Sequence, residues 1–331
     1  MKICVLMSLD DISREKMLRA FPDDDITFAF DATIPYDAKQ SFDKKYESDL
    51  IAADIVIGQP PVEYLPMMKN LGLLQLSMAG TEPYSRPDVL PKGVKLCNAT
   101  GAFGKAISEH MLATLLMLMK KLHLYRDNMH TSDWKDMGQV RSITDMTVLC
   151  VGLGDIGRDF AKLCKAMGAR VIGLRRSGTQ KPDYVDELYL TEDADKILPQ
   201  ADVIAMSLPN TPATVNFMSR DRFALLKKGS YLLNVGRGNA IDQDALCDAL
   251  RDGTLAGASI DVATPEPLPK DSPLWQCEGL LITPHVSGFY HLRKTYDNIV
   301  DICIHNAQAY KNGQPLITEV DLSTGYKISD K

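Results

Sequence analysis

The stretch VGLGDIG, residues 151–157, decides the fold of this 331-residue chain. A β-like apolar run, residues 147–150, precedes it, and a helical pattern, residues 158–167, follows. A second β-like run comes next, at residues 169–174. Strand, glycine turn, helix and strand in that order form the dinucleotide-binding fingerprint in the setting it requires. Gly152 permits the tight turn, Gly154 leaves room for a pyrophosphate, and Gly157 lets the helix pack against the strand. Backbone N–H groups and the positive end of the helix dipole then face the phosphates.

Outward from this turn the pattern keeps alternating. Strands are predicted downstream at residues 147–151, 170–174, 203–207, 231–235, 258–261 and 280–283, about the number a doubly wound dinucleotide domain needs. Upstream, strands are predicted at 2–7, 26–30, 55–58, 73–77 and 94–98, with a helix over 13–21. Such alternation implies parallel sheets covered by helices. Residues 103–129 read as one long helix whose middle, 111–119, is apolar on every side. A helix of that kind is buried all round, within a domain or against a partner. The chain turns helical again over 292–313 and ends in a polar tail. The predicted division is a substrate domain of residues 1–100 plus 288–331 around a dinucleotide-binding domain of residues 101–287. Both crossings, near 98–101 and 285–289, contain glycine and read as hinges around a cleft.

Bulk properties exclude several classes. With 45% hydrophobic and 24% charged residues the chain is an ordinary globular protein. Its net charge of −6 offers no basic footprint, so no nucleic acid is expected. The N-terminal apolar run is too short for a signal peptide, and 111–119 is too short to cross a bilayer. Seven scattered cysteines read as reduced core residues of a cytoplasmic protein. Six histidines show no paired ligand spacing, so no metal is expected.

Three later segments carry chemistry. They are LLNVGRGNAID (232–242), GASIDVATPEPLPKDSPLW (257–275) and LLITPHVSGF (280–289). Each places a charged or titratable group, Arg237, Asp261 or His285, at the carboxyl end of a predicted parallel strand, the edge where open α/β sheets bind ligands. An arginine between glycines is sterically free to fork onto a carboxylate. A histidine exchanges a proton near neutral pH, and a glutamate beside it would favour its charged form and fix its orientation. Each has a plainer alternative: Arg237 as a strand cap, Glu266 as a solvated loop acid, His285 as a structural histidine. His110, beside Glu109 on the long helix, reads as structural. Trp134 and Trp275 read as packing anchors, though either could edge a substrate pocket.

The chain resembles the D-isomer-specific 2-hydroxyacid dehydrogenases over nearly its whole length. The likeness is strongest at residues 151–157, 234–238, 261–267 and 283–285, and TPEPLPKDSPL looks most like glyoxylate/hydroxypyruvate reductases and phosphoglycerate-dehydrogenase-like members. It implies an α/β protein of two doubly wound parallel-sheet domains, a central Rossmann domain and a flavodoxin-like substrate domain. It also implies that Arg237 holds the substrate carboxylate, that His285 is the general acid/base with Glu266 as its partner, and that Asp261 holds the nicotinamide carboxamide. Met78, Ala79 and Gly80 match the loop whose N–H groups bind the carboxylate. Leu208 and Pro209 match the cover of the adenosine ribose. Asp155, Ile156, Val235, Gly236 and Gly288 complete the cofactor set.

Three departures stand out. Gly236 replaces a usual alanine, which is expected to change little. Thr81-Glu82 replaces an apolar–Asp pair, putting substrate fit there in doubt. Arg175, followed by Arg176 and Ser177, stands where NAD-specific members carry an acid. The implied activity is an NADPH-linked (otherwise NAD-linked) reductase of a small 2-ketoacid, glyoxylate or hydroxypyruvate, running reversibly, in a homodimer. The alternatives are phosphoglycerate dehydrogenase, a nucleotide-sensing corepressor-like protein without catalysis, and formate dehydrogenase. The last pairs its histidine with an amide, so Glu266 disfavours it.

Overall fold

The structure, a computed structural model, describes residues 1–30, 42–322 and 326–328. Of the polar tail, residues 323–325 and 329–331 lie outside the described residues. The chain divides into two compact units, one of Met1–Phe103 with Phe289–Lys331 and one of Gly104–Gly288.

The first unit is a parallel sheet of strands β1 (Lys2–Val5), β2 (Asp25–Phe28), β3 (Ile55–Ile57), β4 (Leu73–Gln75) and β5 (Lys95–Cys97). Their order is β2-β1-β3-β4-β5, the flavodoxin-like arrangement that was expected. Ile55, Val56 and Ile57 are each fully buried, because a parallel sheet is covered on both faces. Helices α1 (Asp11–Ala20) and α2 (Glu47–Ala52) follow their strands. Asp10 caps α1 by accepting from the Ser13 N–H at 2.8 Å. The C-terminal helix, Arg293–Lys311, returns to this unit and packs on β4. A buried polar network joins them. Asn306 Nδ2 donates to Gln75 Oε1 and to Thr318 Oγ1, both at 2.7 Å, and Thr318 Oγ1 donates to the Asn98 carbonyl at 2.6 Å. Every polar atom named there is paired, which burial requires.

The second unit carries strands β6 (Thr147–Val151), β7 (Arg170–Arg175), β8 (Glu187–Leu190), β9 (Val203–Met206), β10 (Ser230–Asn234), β11 (Leu255–Ile260) and β12 (Leu280–Ile282). Their order, β12-β11-β10-β9-β6-β7-β8, is the doubly wound dinucleotide order with one strand added at the far edge. All its pairs are parallel. Strand β8 has no counterpart among the predicted strands. It is an edge strand, half-buried throughout, so its residues ELYL show no apolar run. The helices are α3 (Gly104–Met119), α4 (Leu122–His130), α5 (Asp155–Ala166), α6 (Ala194–Ile197), α7 (Arg220–Ala224) and α8 (Gln243–Arg251).

Four expectations are corrected. The long helix is two helices, broken where Lys121 adopts a left-handed φ of 58°. Lys120 Nζ and Lys121 Nζ donate instead to the carbonyls of Arg141 and Met137, contacts a continuous helical pattern does not reveal. Nor is α3 buried all round within its unit: Ala113 and Met117 are exposed. Neither tryptophan is a packing anchor, for Trp134 is fully exposed, and Trp275 is about half exposed with its indole N–H on the Pro269 carbonyl. Cysteine is not uniformly reduced either. Cys247 on α8 and Cys277 before β12 form a disulfide across 30 residues, a pairing made by tertiary contact and invisible as a local motif. Cys4, Cys97, Cys150, Cys164 and Cys303 are free and buried, and burial pushes the first three thiols up to about 12.

Candidate active site

The glycine turn between β6 and α5 has the shape of a phosphate cradle. Gly152 takes φ +95°, which side chains rarely adopt. A Cβ on Gly157 would stand 1.8 Å from the Gly152 carbonyl oxygen, so only glycine lets α5 approach so closely. A Cβ on Gly154 would meet nothing within 4 Å, so the space above the turn is open. No side chain caps α5, whose N-cap is Gly154. Open space before an uncapped helix N-terminus fits a dinucleotide pyrophosphate. Asp155 serves elsewhere: its carboxylate accepts the Gly104 N–H at 2.9 Å, capping α3, and pairs with Arg158 at 2.7 Å. Its negative charge is thereby tied to α3 and to a cation. Ile156 is half-buried in the same first turn.

At the end of β7, Arg175 is not a free cation. Its Nε and Nη2 donate to the carbonyls of Gly178 and Gln180, each at 2.8 Å. Two of five guanidinium N–H donors thus shape the loop that carries Arg176 and Ser177. Leu208 and Pro209 follow β9, and the Pro209 carbonyl is held by Thr214 Oγ1 at 2.6 Å.

At the end of β10 the two glycines of GRG are there for a different reason than expected. A Cβ on Gly236 would lie 2.4 Å from the Leu208 carbonyl oxygen, and one on Gly238 would lie 2.1 Å from the Ala263 carbonyl carbon. Backbones are pressed together on both sides of Arg237. Gly236 therefore does matter: alanine there requires Leu208 to move. Arg237 is half-buried and extended, and its Nη1 donates to the Gly236 carbonyl at 2.7 Å. Asn234 braces the turn, accepting from the Gly236 N–H and donating to the Arg237 carbonyl. Val235, at the turn's start, is buried.

His285 and Glu266 meet. His285 Nδ1 lies 2.8 Å from Glu266 Oε2, while Glu266 Oε1 accepts the Ala263 N–H at 3.0 Å. The loop that carries Glu266 is tied to α8 at both ends. Gln243 exchanges two hydrogen bonds with the Thr264 backbone, and the Cys247–Cys277 bond closes the other end. His285 itself has φ +55°, a left-handed conformation that costs a non-glycine residue about 1–2 kcal/mol.

Asp261 explains how that conformation persists. The residue is 2% exposed. Its main-chain carbonyl accepts the His285 N–H at 2.8 Å. Its Oδ1 accepts Thr283 Oγ1 at 2.6 Å and the Val286 N–H at 3.0 Å. Its Oδ2 accepts the Ser287 N–H at 3.0 Å and the Ser287 hydroxyl. Four donors fill the roughly four lone-pair sites of a carboxylate. Besides the role that the resemblance implies, Asp261 has a structural one: it pins the loop that carries His285 and leads into Gly288. Thr283 and Ser287, absent from the expected set, were signalled only by standing beside His285 in TPHVS.

Met78, Ala79 and Gly80 belong to the other unit, past the end of β4. Their loop is fixed from behind, with the Ala99 N–H on the Met78 carbonyl at 2.9 Å and Asn98 Nδ2 on the Ala79 carbonyl at 2.8 Å. Thr81, one of the two departures there, is buried and bonds Ser85 Oγ at 3.0 Å.

The chain and its fold have known counterparts. Residues 112–287 match the family model for the D-isomer specific 2-hydroxyacid dehydrogenase NAD binding domain. A D-isomer specific 2-hydroxyacid dehydrogenase family protein from Aeromonas salmonicida superposes with a TM-score of 0.83 at 33% identity, over 97% of this chain and 99% of that one. An NADPH-dependent glyoxylate/hydroxypyruvate reductase from Sinorhizobium meliloti, solved with NADP and sulfate, gives a TM-score of 0.80 at 25% identity, over 98% and 99% of the two chains. Glyoxylate/hydroxypyruvate reductase A of Citrobacter koseri is 29% identical over 82% of this chain and 86% of its own.

Proposed function

Because the chain belongs to the D-isomer specific 2-hydroxyacid dehydrogenases, NAD(P)-dependent oxidoreductases acting on CH–OH groups, we propose that it reduces a small 2-ketoacid of the glyoxylate or hydroxypyruvate type with NADPH. The observation that carries this reading is the His285–Glu266 pair at 2.8 Å, on loops leaving the carboxyl ends of β11 and β12. With Nδ1 committed to Glu266, Nε2 is the nitrogen that gives a proton to the carbonyl oxygen. Arg237 takes the substrate carboxylate, and the N–H groups of the 78–80 loop are assigned to it by family likeness. The nicotinamide, when bound, supplies the hydride that C2 receives. Hydride plus proton convert C=O to CH–OH, and oxidation reverses both. Arg237 contributes orientation as well as charge. The test is a 2-ketoacid panel assayed with NADPH and NADH in parallel. Failure with every ketoacid would refute the reading.

Removing the Glu266 carboxylate tests the pair. In Glu266→Gln the ring loses its charge-assisted hydrogen bond at Nδ1, so kcat for ketoacid reduction should fall roughly 10- to 100-fold, the worth of one hydrogen bond to a charged group. An unchanged kcat would break the pairing.

The NADPH preference rests on the cationic loop at the end of β7. A carboxylate there would repel a 2′-phosphate; Arg175 brings a cation and shapes the loop presenting Arg176 and Ser177. One charge-assisted hydrogen bond is worth about 1.5–3 kcal/mol, or roughly 10- to 100-fold. Measured kcat/KM should favour NADPH over NADH by at least ~10-fold, and Arg175→Asp should erase that preference. Wild-type preference for NADH would overturn the assignment.

The dimer is a proposal of the same kind. Met117, Leu122, Met129, Trp134 and Val140 are large apolar residues left exposed along one stretch of chain, and burial against a second copy would take them out of water. Light scattering should give twice the chain mass at micromolar concentration; a monomer would refute this.

A further inference from the structure

The hydrogen bonds behind Asp261 continue to a residue that the sequence left as structural. Thr283 Oγ1 lies 2.6 Å from Asp261 Oδ1 and 3.3 Å from His110 Nε2 on α3. A hydroxyl has one proton, and an ionised carboxylate only accepts. The Thr283 proton therefore goes to Asp261. The Thr283 oxygen is left as the acceptor, so His110 Nε2 must carry a proton and donate. Donor counting thus sets a direction: His110 donates to Thr283, Thr283 donates to Asp261, and Asp261 also accepts from the backbone N–H groups of residues 286 and 287 that follow His285.

We propose that Thr283, backed by His110, is a positioning residue that holds the left-handed His285 turn so that its Nδ1 stays on Glu266 and its Nε2 is presented for proton transfer. His285 takes φ +55° beside a proline, a conformation that persists only where its surroundings over-determine it. Asp261 does so through its main-chain carbonyl and both carboxylate oxygens. Three of the four donors to that carboxylate, the Val286 N–H and the N–H and hydroxyl of Ser287, belong to the loop itself, so Thr283 is the one donor at the end of β12. Thr283 sits at the end of β12, its own N–H on the Ile260 carbonyl at 3.0 Å, so the hydroxyl is fixed by the sheet. Without it, the carboxylate is held only by groups of the loop, so carboxylate and loop can shift together and the loop gains alternatives. Small errors in the placement of a reacting group cost up to ~100-fold in rate.

This rests on the reading of His285 as the acid, so the experiment has an arm independent of activity. Protein labelled with ¹⁵N-histidine, free of nucleotide, reports the tautomer of each ring, and His285→Ala assigns the His285 signals. Wild type should show His285 with Nδ1 protonated. Thr283→Val should lose that single-tautomer signature and lower ketoacid kcat by ~10- to 100-fold, with NADPH affinity unchanged; Thr283→Ser should restore both. His110→Leu, which keeps Thr283, should shift the signature the same way and lower kcat ~2- to 10-fold, and it decides the matter if the valine variant does not fold. The proposal is overturned if the valine variant keeps the wild-type signature, or if the signature changes while kcat does not. If wild type reduces no ketoacid, the functional reading fails and the tautomer signature alone judges the positioning.

Discussion

Replacing His285 with alanine should lower kcat for ketoacid reduction at least ~100-fold, the lower end of what a lost general acid–base group costs. Nicotinamide dinucleotide affinity should hardly change. The imidazole is about half exposed and its Nδ1 bonds Glu266, so it is not part of the cradle that Gly152, Gly154 and Gly157 build. Stability should not fall either. Alanine, which also carries a Cβ, inherits the same left-handed strain, and the main-chain bond from residue 285 to the Asp261 carbonyl persists. The loss should be of one kind, a fall in kcat. Wild-type turnover in this variant would remove His285 from the mechanism.

Arg237→Lys should cost ~10- to 100-fold in kcat/KM for ketoacids although the charge is kept. The guanidinium is anchored at one edge by its own main chain, through Nη1 on the Gly236 carbonyl, and four of its five N–H donors remain for a ligand. That arrangement fixes a planar fork, which pairs with a carboxylate by two parallel bonds. A lysine ammonium has no plane, so it cannot be anchored at one edge and forked at the other. The pressed backbones around residues 236 and 238 leave no slack for the chain to shift in compensation. KM should rise most, with kcat falling as the ketoacid is less well aligned. Unchanged kinetics in the lysine variant would mean that Arg237 does not grip the carboxylate.

Much of this architecture was legible in the residues because its signals are local. Thr147–Val151, the glycine turn and the amphipathic helix after it lie within twenty residues, and each carries its own pattern of apolar period and backbone need. The strands buried on both faces, such as β3 and β9, are short apolar runs for the same reason. The places of Arg237 and His285 just past strands β10 and β12 were legible too, and such places lie at the ligand edge of an open parallel sheet.

What the chain by itself left open are matters of partnership. Arg175 reads as a free cation, yet its donors turn back onto its own loop; Asp261 reads as a ligand, yet it also accepts from four donors of its own chain. Cys247 and Cys277 show no motif, because helix α8 and the end of a loop meet only in space. His110 and Thr283 are 173 residues apart, and no period in the sequence relates them. Hydrophobic pattern is written along the chain, one residue after another, and so it determined the strands, the sheet class and the cradle. A hydrogen bond needs a second group whose distance and direction are set by packing, and so only the tertiary structure decided which side chains are spent on holding the fold and which remain to act.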